Sequence, residues 1–300
     1  MKEYTIKNEQ LSLTVLEYGA RIHKLQYNDH FGSQNLVHSL HETSKYRDDT
    51  TSLNAVIGRF AGRICSSQII LDQKKYTLPT NDGVHLHGGI GFANRLWKVD
   101  ALSHKETPKI QLSYTSTHLE DGYPGTLKVV VTYILKKNSL IVDFKATTDQ
   151  TTLVNLTQHT YFKLDDQMKF NHLQFKIPAS AILETENNLC PTGDLIPLNE
   201  KAQHPLNFNK EHALGTNEFD TPYVIDSSKA IEVYSPKSKL RLVTTTNQPI
   251  AVLYTPSSGV GFCIETQNYP NSPNCKNFPS AELKPGEMYN SHTQYKFLRD

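Results

Sequence analysis

The chain has 300 residues, and its 31 lysines and arginines nearly balance 30 aspartates and glutamates, for a net charge of +1. That length suits one large β domain or two ordinary ones, and the charge balance leaves no field that favours nucleic acid or an anionic membrane. Apolar runs stop far short of the roughly 20 residues that span a bilayer, and Met1-Lys2-Glu3-Tyr4 leads into a strand-like stretch without a hydrophobic leader core, so a cytoplasmic location is expected.

Along the chain the pattern is strands joined by turns. Leu11, Leu13 and Val15 alternate with polar positions. Gly58-Arg59-Phe60-Ala61-Gly62-Arg63-Ile64 carries two arginines four apart, which share a face on a strand or a helix. A salt-bridged structural role is the usual one for such residues; a bidentate grip on a hydroxyl pair is the functional one. Gln68–Leu71 and residues 76–78 flank Asp72-Gln73-Lys74-Lys75 as a hairpin. His85-Leu86-His87-Gly88-Gly89 puts two histidines on one strand face. A metal would need a third ligand there, such as His159 or Glu265. The alternatives are a hydrogen-bonded strand end or, for His87, a donor to a polar ligand, with the glycines allowing close backbone approach. Residues 127–135 and 140–146 are β-branched runs about the turn Lys136-Lys137-Asn138-Ser139.

Residues 153–162 are the most informative stretch. As a strand they put Asn155, Thr157, His159 and Tyr161 on one face and Val154, Leu156 and Phe162 on the other. A row of polar groups on a strand face suits a wet cleft, and His159 is the member able to exchange a proton near neutral pH. Asp220 lies where a loop runs into a strand, and Ile231–Tyr234 pairs with residues 239–245. Residues 259–268 repeat the alternation, with Val260, Phe262 and Ile264 on one face and Gly261, Cys263, Glu265 and Gln267 on the other. Two small residues before a carboxylate and an amide leave room over that strand. His159 and Glu265 therefore form a candidate acid–base pair.

Cys65, Cys190, Cys263 and Cys275 have neither C-x-x-C spacing nor zinc-type pairing with histidine, and four free thiols are expected. No phosphate-cradling glycine motif and no nucleophile elbow occurs. No linker, low-complexity segment or repeat divides the chain, and many short strands with frequent turns suggest a sandwich or barrel over residues 1–300.

Several blocks together resemble the aldose 1-epimerase (galactose mutarotase) family: Asn155-Leu156-Thr157-Gln158-His159-Thr160-Tyr161-Phe162, Leu86-His87-Gly88-Gly89, Asp121-Gly122-Tyr123-Pro124-Gly125, Glu265-Thr266-Gln267-Asn268, Gly58-Arg59 with Arg63-Ile64, and Leu283-Lys284-Pro285-Gly286-Glu287. They stand in the family's order from about Asn54 to Phe297. The resemblance implies an all-β fold, a large twisted antiparallel β-sandwich with an open sugar cleft. It implies interconversion of the anomers of a free aldose without cofactor or metal. It implies Glu265 as general base and His159 as general acid, with Arg63, His87, Tyr161 and Asp220 holding hydroxyls or orienting the ring.

The chemistry suits those residue types. Opening a cyclic hemiacetal needs a base at the C1 hydroxyl and an acid at the ring oxygen. A free carboxylate ionises near pH 4.3 and an imidazole near 6.5, so the carboxylate is available near neutrality. The imidazolium needs a nearby negative charge to keep its proton. The sequence departs from the family pattern at Gly62, usually Asn, at Thr221, commonly His, and at Val252, often a sugar-contacting Gln; residues 254–262 are shortened. Other functions on this chain are a non-catalytic sugar binder, a hexose-phosphate epimerase using Arg59, Arg63 and Arg95, and a glycosidase using Asp220 and Glu265.

Overall fold

The β-branched run at 127–135 forms the strand Leu127–Lys136, paired along its length with Ser139–Thr148 in the computed structural model, which describes residues 1–166, 170–198, 204–215 and 218–299. Leu127, Val129, Val131, Tyr133 and Leu135 are buried while the residues between them lean outward, the period-two signature of a sheet with one covered face. Seven further strands extend this pair into an antiparallel nine-stranded sheet, in the order Lys98–Ser103, Lys109–Ser116, Leu127–Lys136, Ser139–Thr148, Tyr289–Arg299, Leu240–Thr246, Ile231–Tyr234, Gln174–Lys176, His212–Ala213.

A second, five-stranded antiparallel sheet runs Pro191–Pro197, Ala179–Thr185, Asp220–Ile225, Ile250–Tyr254, Cys263–Gln267. A four-stranded sheet holds the N-terminal strands Glu3–Lys7, Leu11–Leu16, Ile22–Asp29 and Gly32–Asn35. Leu13 and Ile22, Val131 and Phe144, and Leu253 and Ile264 join one apolar cluster, so the three sheets bury their inner faces against one another. Each such aliphatic or aromatic side chain contributes about 1.5–3 kcal/mol by leaving water. Among the described residues helix is limited to short 3₁₀ turns such as Thr43–Arg47, and no helix is long and apolar enough to cross a membrane. The expected all-β antiparallel sandwich is the observed architecture.

The hairpin at 68–77 forms with its turn tightened to Asp72-Gln73, both at positive φ, which matches the twist of the strands Gln68–Leu71 and Lys74–Thr77. Two expectations need correction. Residues 153–162 are not one strand: Thr152–Leu153 and Thr157–Gln158 pair with different partners, and isolated bridges at Asn155 and Phe162 tie the rest. The segment crosses from one small sheet to another, and the polar alternation hid the break. Nor are all four cysteines free. Cys65 and Cys190, 125 residues apart, meet with Cα atoms 5.9 Å apart and form a disulfide, while Cys263 and Cys275 remain thiols. Only tertiary folding brings that pair together, so no local spacing could announce it.

Candidate active site

Three adjacent strands, Asp220–Ile225, Ile250–Tyr254 and Cys263–Gln267, form the floor of a cavity of about 230 Å³. Their register sets side chains in rows: Asp220, Tyr254 and Cys263, then Pro222, Val252 and Glu265, then Val224, Ile250 and Gln267. The row between the first two, Thr221, Leu253 and Ile264, points the other way, and Leu253 and Ile264 enter the main core. Alternation thus gives one sheet an apolar face and a face that can carry chemistry. The expected split into two faces holds over the strand Cys263–Gln267, whereas Gly259, Val260 and Gly261 lie before it and line a separate pocket with Phe262.

His159 stands over this floor. Its backbone N–H donates to the Ala55 carbonyl and its own carbonyl accepts from the Asn54 N–H. The ring stacks on Tyr161, with centroids 5.2 Å apart, and meets His87 at 5.3 Å and Tyr254 at 5.7 Å edge-on. Nδ1 lies 3.5 Å from the Cys263 sulfur, and Nε2 lies 3.4 Å from Glu265 Oε1. His159 and Glu265, 106 positions apart in sequence, are thereby brought together at the same cavity.

Burial governs their protonation. It pulls the His159 imidazole down to about 4. It pushes the Glu265 carboxyl up to about 8, with the Asp220 charge adding to the rise and the Arg63 charge opposing it. Near neutral pH the empty pair therefore holds one proton, and desolvation places it on the carboxyl. Burial thus acts against both charged forms of the expected imidazolium and carboxylate in the empty site.

The remaining expected residues also line the cavity. Arg63 donates through Nη2 to Asp220 Oδ2 at 3.1 Å. Gly62 N–H donates to His87 Nδ1 at 3.2 Å, and burial holds the His87 ring neutral, which leaves its hydrogen on Nε2. Tyr161 donates its hydroxyl to the Thr51 carbonyl at 3.0 Å.

Three sequence pairings separate. Arg59 does not share a face with Arg63: it is buried and donates to Ser116 Oγ and to the carbonyls of Ser116, Thr117 and Pro124. Gly62, at φ +76°, turns the chain between them. His85 and His87 part because His87 leaves the strand at φ +51°; His85 is buried between the Pro79 carbonyl and the Tyr123 hydroxyl, 2.6 Å from each. Asn155 and Thr157 do not face a wet cleft. Both are buried, and Asn155 ties Ala61 to Asn268.

His87, His159 and Glu265 place donor atoms within 4.8 Å of one another, the third ligand that the metal alternative required. Zinc bonds of about 2.0–2.2 Å would demand a closer approach of these atoms and a deprotonated carboxylate, and burial raises the proton affinity of Glu265. Of the departures from the family pattern, Gly62 and Val252 line the cavity, whereas Thr221 lies in the row that faces away. Tyr254 and Gln267 also line it. Alternation from Glu265 already put Gln267 on the right face; nothing local marked Tyr254.

Comparison with known proteins agrees with this geometry. Residues 2–296 match the family model described as aldose 1-epimerase. Galactose mutarotase of Sus scrofa is 34% identical over 99% of this chain and 94% of its own length, and aldose 1-epimerase of Escherichia coli K12 is 29% identical over 85% and 82%. The crystal structure of the aldose epimerase homologue from C. elegans superposes with a TM-score of 0.93 at 28% identity, covering 99% of both chains. That of galactose 1-epimerase from Lactobacillus acidophilus gives 0.88 at 25% identity, covering 99% of this chain and 94% of the other. A match that runs from the first strand to the last, on the fold these strands build, makes the chain a member of the aldose 1-epimerase family.

Proposed function

We propose that this cavity interconverts the α and β anomers of a free aldose of the glucose or galactose class, with Glu265 as base and His159 as acid. The observation that carries the proposal is the 3.4 Å approach of His159 Nε2 to Glu265 Oε1 at the cavity, where burial lowers the imidazole and raises the carboxyl. In the ring-opening step the C1–O5 bond breaks and C1=O1 forms. The O1 proton passes to Glu265, and His159 gives its proton to O5. The enzyme is left with a neutral carboxyl and a neutral imidazole, the distribution that burial favours. After rotation about C1–C2 the two transfers reverse on the other face of the carbonyl. Sugar hydroxyls and Arg63 favour the ionised carboxylate needed at the start. General acid–base assistance of this kind is worth about 10²–10⁴-fold per group. In the same proposal Arg63, His87, Tyr161 and Asp220 hold the other hydroxyls, and no cofactor or metal takes part.

A hexose phosphate fits less well. Arg59 is committed to backbone carbonyls, and Arg95 is paired with Glu120 and Asp121, which leaves Arg63 alone of the three arginines at the cavity. We also treat residues 1–300 as one domain, in keeping with a core cluster that runs from Ile6 to Phe297. A cytoplasmic setting belongs to the proposal on the strength of the two unpaired thiols, and cell fractionation tests it against the Cys65–Cys190 bridge, which favours an oxidising one. The direct test of function is polarimetry with fresh α-D-glucose and α-D-galactose. Rotation should relax faster in proportion to enzyme added; relaxation no faster than buffer across several aldoses would reject the proposal.

A further inference from the structure

Gln267 is fully buried, lines the cavity two residues beyond Glu265 on the same strand face, and has no part in the chemistry above. Neither its Oε1 nor its Nε2 meets a hydrogen-bonding partner in the protein. Gln158, also buried, shows how this chain treats the same side chain when its role is structural: Oε1 accepts from the Tyr133 hydroxyl and Nε2 donates to the Asn54 carbonyl. A buried amide left open at both ends is costly to the empty protein, and its natural complement is a ligand that both donates and accepts.

We infer that Gln267 is a specificity-determining residue that reads two adjacent hydroxyls of the aldose, accepting from one and donating to the other. Gly62 gives the amide its space. A Cβ there would come within 3.1 Å of Gln267 Nε2 and 2.9 Å of the Pro270 Cβ. The amide is shielded at rest and reaches the hydroxyls by turning about its last side-chain bond, a soft torsion. Either orientation of the amide serves, since both ends are open. Val252 and Pro222, the apolar members of the neighbouring row, have no polar group to offer in its place.

This inference rests on the proposed function, and its test separates the two. Gln267→Met keeps the side chain's length and removes both polar ends; Gln267→Leu is the second variant. Thermal unfolding of the empty proteins, Kd by calorimetry, and kcat and KM by NMR anomer exchange would be measured with galactose and its 2-, 3- and 4-deoxy derivatives. Tm should rise by roughly 2–4 °C once the open amide is gone. Kd and KM should rise about tenfold, or about 1.4 kcal/mol, with kcat little changed. For two adjacent deoxy positions the loss from the sugar and the loss from the variant should fail to add. Lower Tm in both variants with unchanged Kd would make Gln267 a strut of the wall and overturn the inference. Additive losses at every position would overturn it too. Absence of anomer exchange in the unmodified protein would instead reject the acid–base proposal, with the Kd comparison still deciding the role of Gln267.

Discussion

The nine-stranded sheet and the cavity floor are built by the same alternation, yet they spend it differently. In Leu127–Lys136 every second residue is aliphatic or aromatic and enters the core, while the others lean toward solvent. In Cys263–Gln267 all five residues are buried, but only Ile264 enters the main apolar core; Cys263 packs in a smaller cluster with Leu16, Tyr46 and Leu53, and Glu265 and Gln267 face the cavity. The first arrangement stabilises, because burying apolar area is favourable at every position. The second costs stability, because a carboxyl, an imidazole and an amide are held away from water with few partners. Function has been placed where the fold can bear that cost, on a sheet whose opposite face is packed.

Substitutions on the two sides should therefore separate activity from stability. The largest effect on turnover is expected for Glu265→Gln, a loss of about 10²–10⁴-fold in kcat with circular dichroism and Tm near those of the unmodified chain; a retained rate would clear Glu265 of the role. On the other side, Leu135→Ala should cost about 2–5 kcal/mol in denaturant unfolding with normal specific activity in the folded protein. The two arginines restate the contrast within one loop. Arg59→Met leaves five carbonyl and hydroxyl acceptors without their donor and should destabilise the fold, whereas Arg63→Met should raise KM roughly tenfold, a loss of about 1.4 kcal/mol in binding, and leave Tm nearly unchanged.

The pH dependence sharpens the same contrast. The active pair carries one proton, so kcat/KM should fall below about pH 4, where His159 takes a second, and above about pH 8, where Glu265 gives up the one it holds. A profile centred on free-residue values, with limbs near 4.3 and 6.5, would show that burial does not control the pair. The smallest effect expected is none: dialysis against a chelator should leave the rate unchanged, and a loss restored by zinc would give His87, His159 and Glu265 a metal role instead.

Much of this was legible in the sequence because alternation is local. The runs at 127–135 and 140–146, the hairpin at 68–77 and the two faces of Cys263–Gln267 each follow from neighbouring residues. His159, Glu265, Arg63, His87, Tyr161 and Asp220 do line one cavity. What escaped depends on the third dimension. The separation of Arg59 from Arg63 and of His85 from His87 turns on positive φ values at Gly62 and His87. The Cys65–Cys190 bridge joins segments distant in sequence. The displaced protonation of His159 and Glu265 comes from burial, which no motif of residue types displays.

A crystal structure with a bound monosaccharide would test the central claim most directly. The account predicts the ring oxygen within about 2.6–3.2 Å of His159 Nε2 and the anomeric hydroxyl at the same reach from Glu265. A sugar seated in the cavity with its anomeric carbon turned away from both side chains would contradict it.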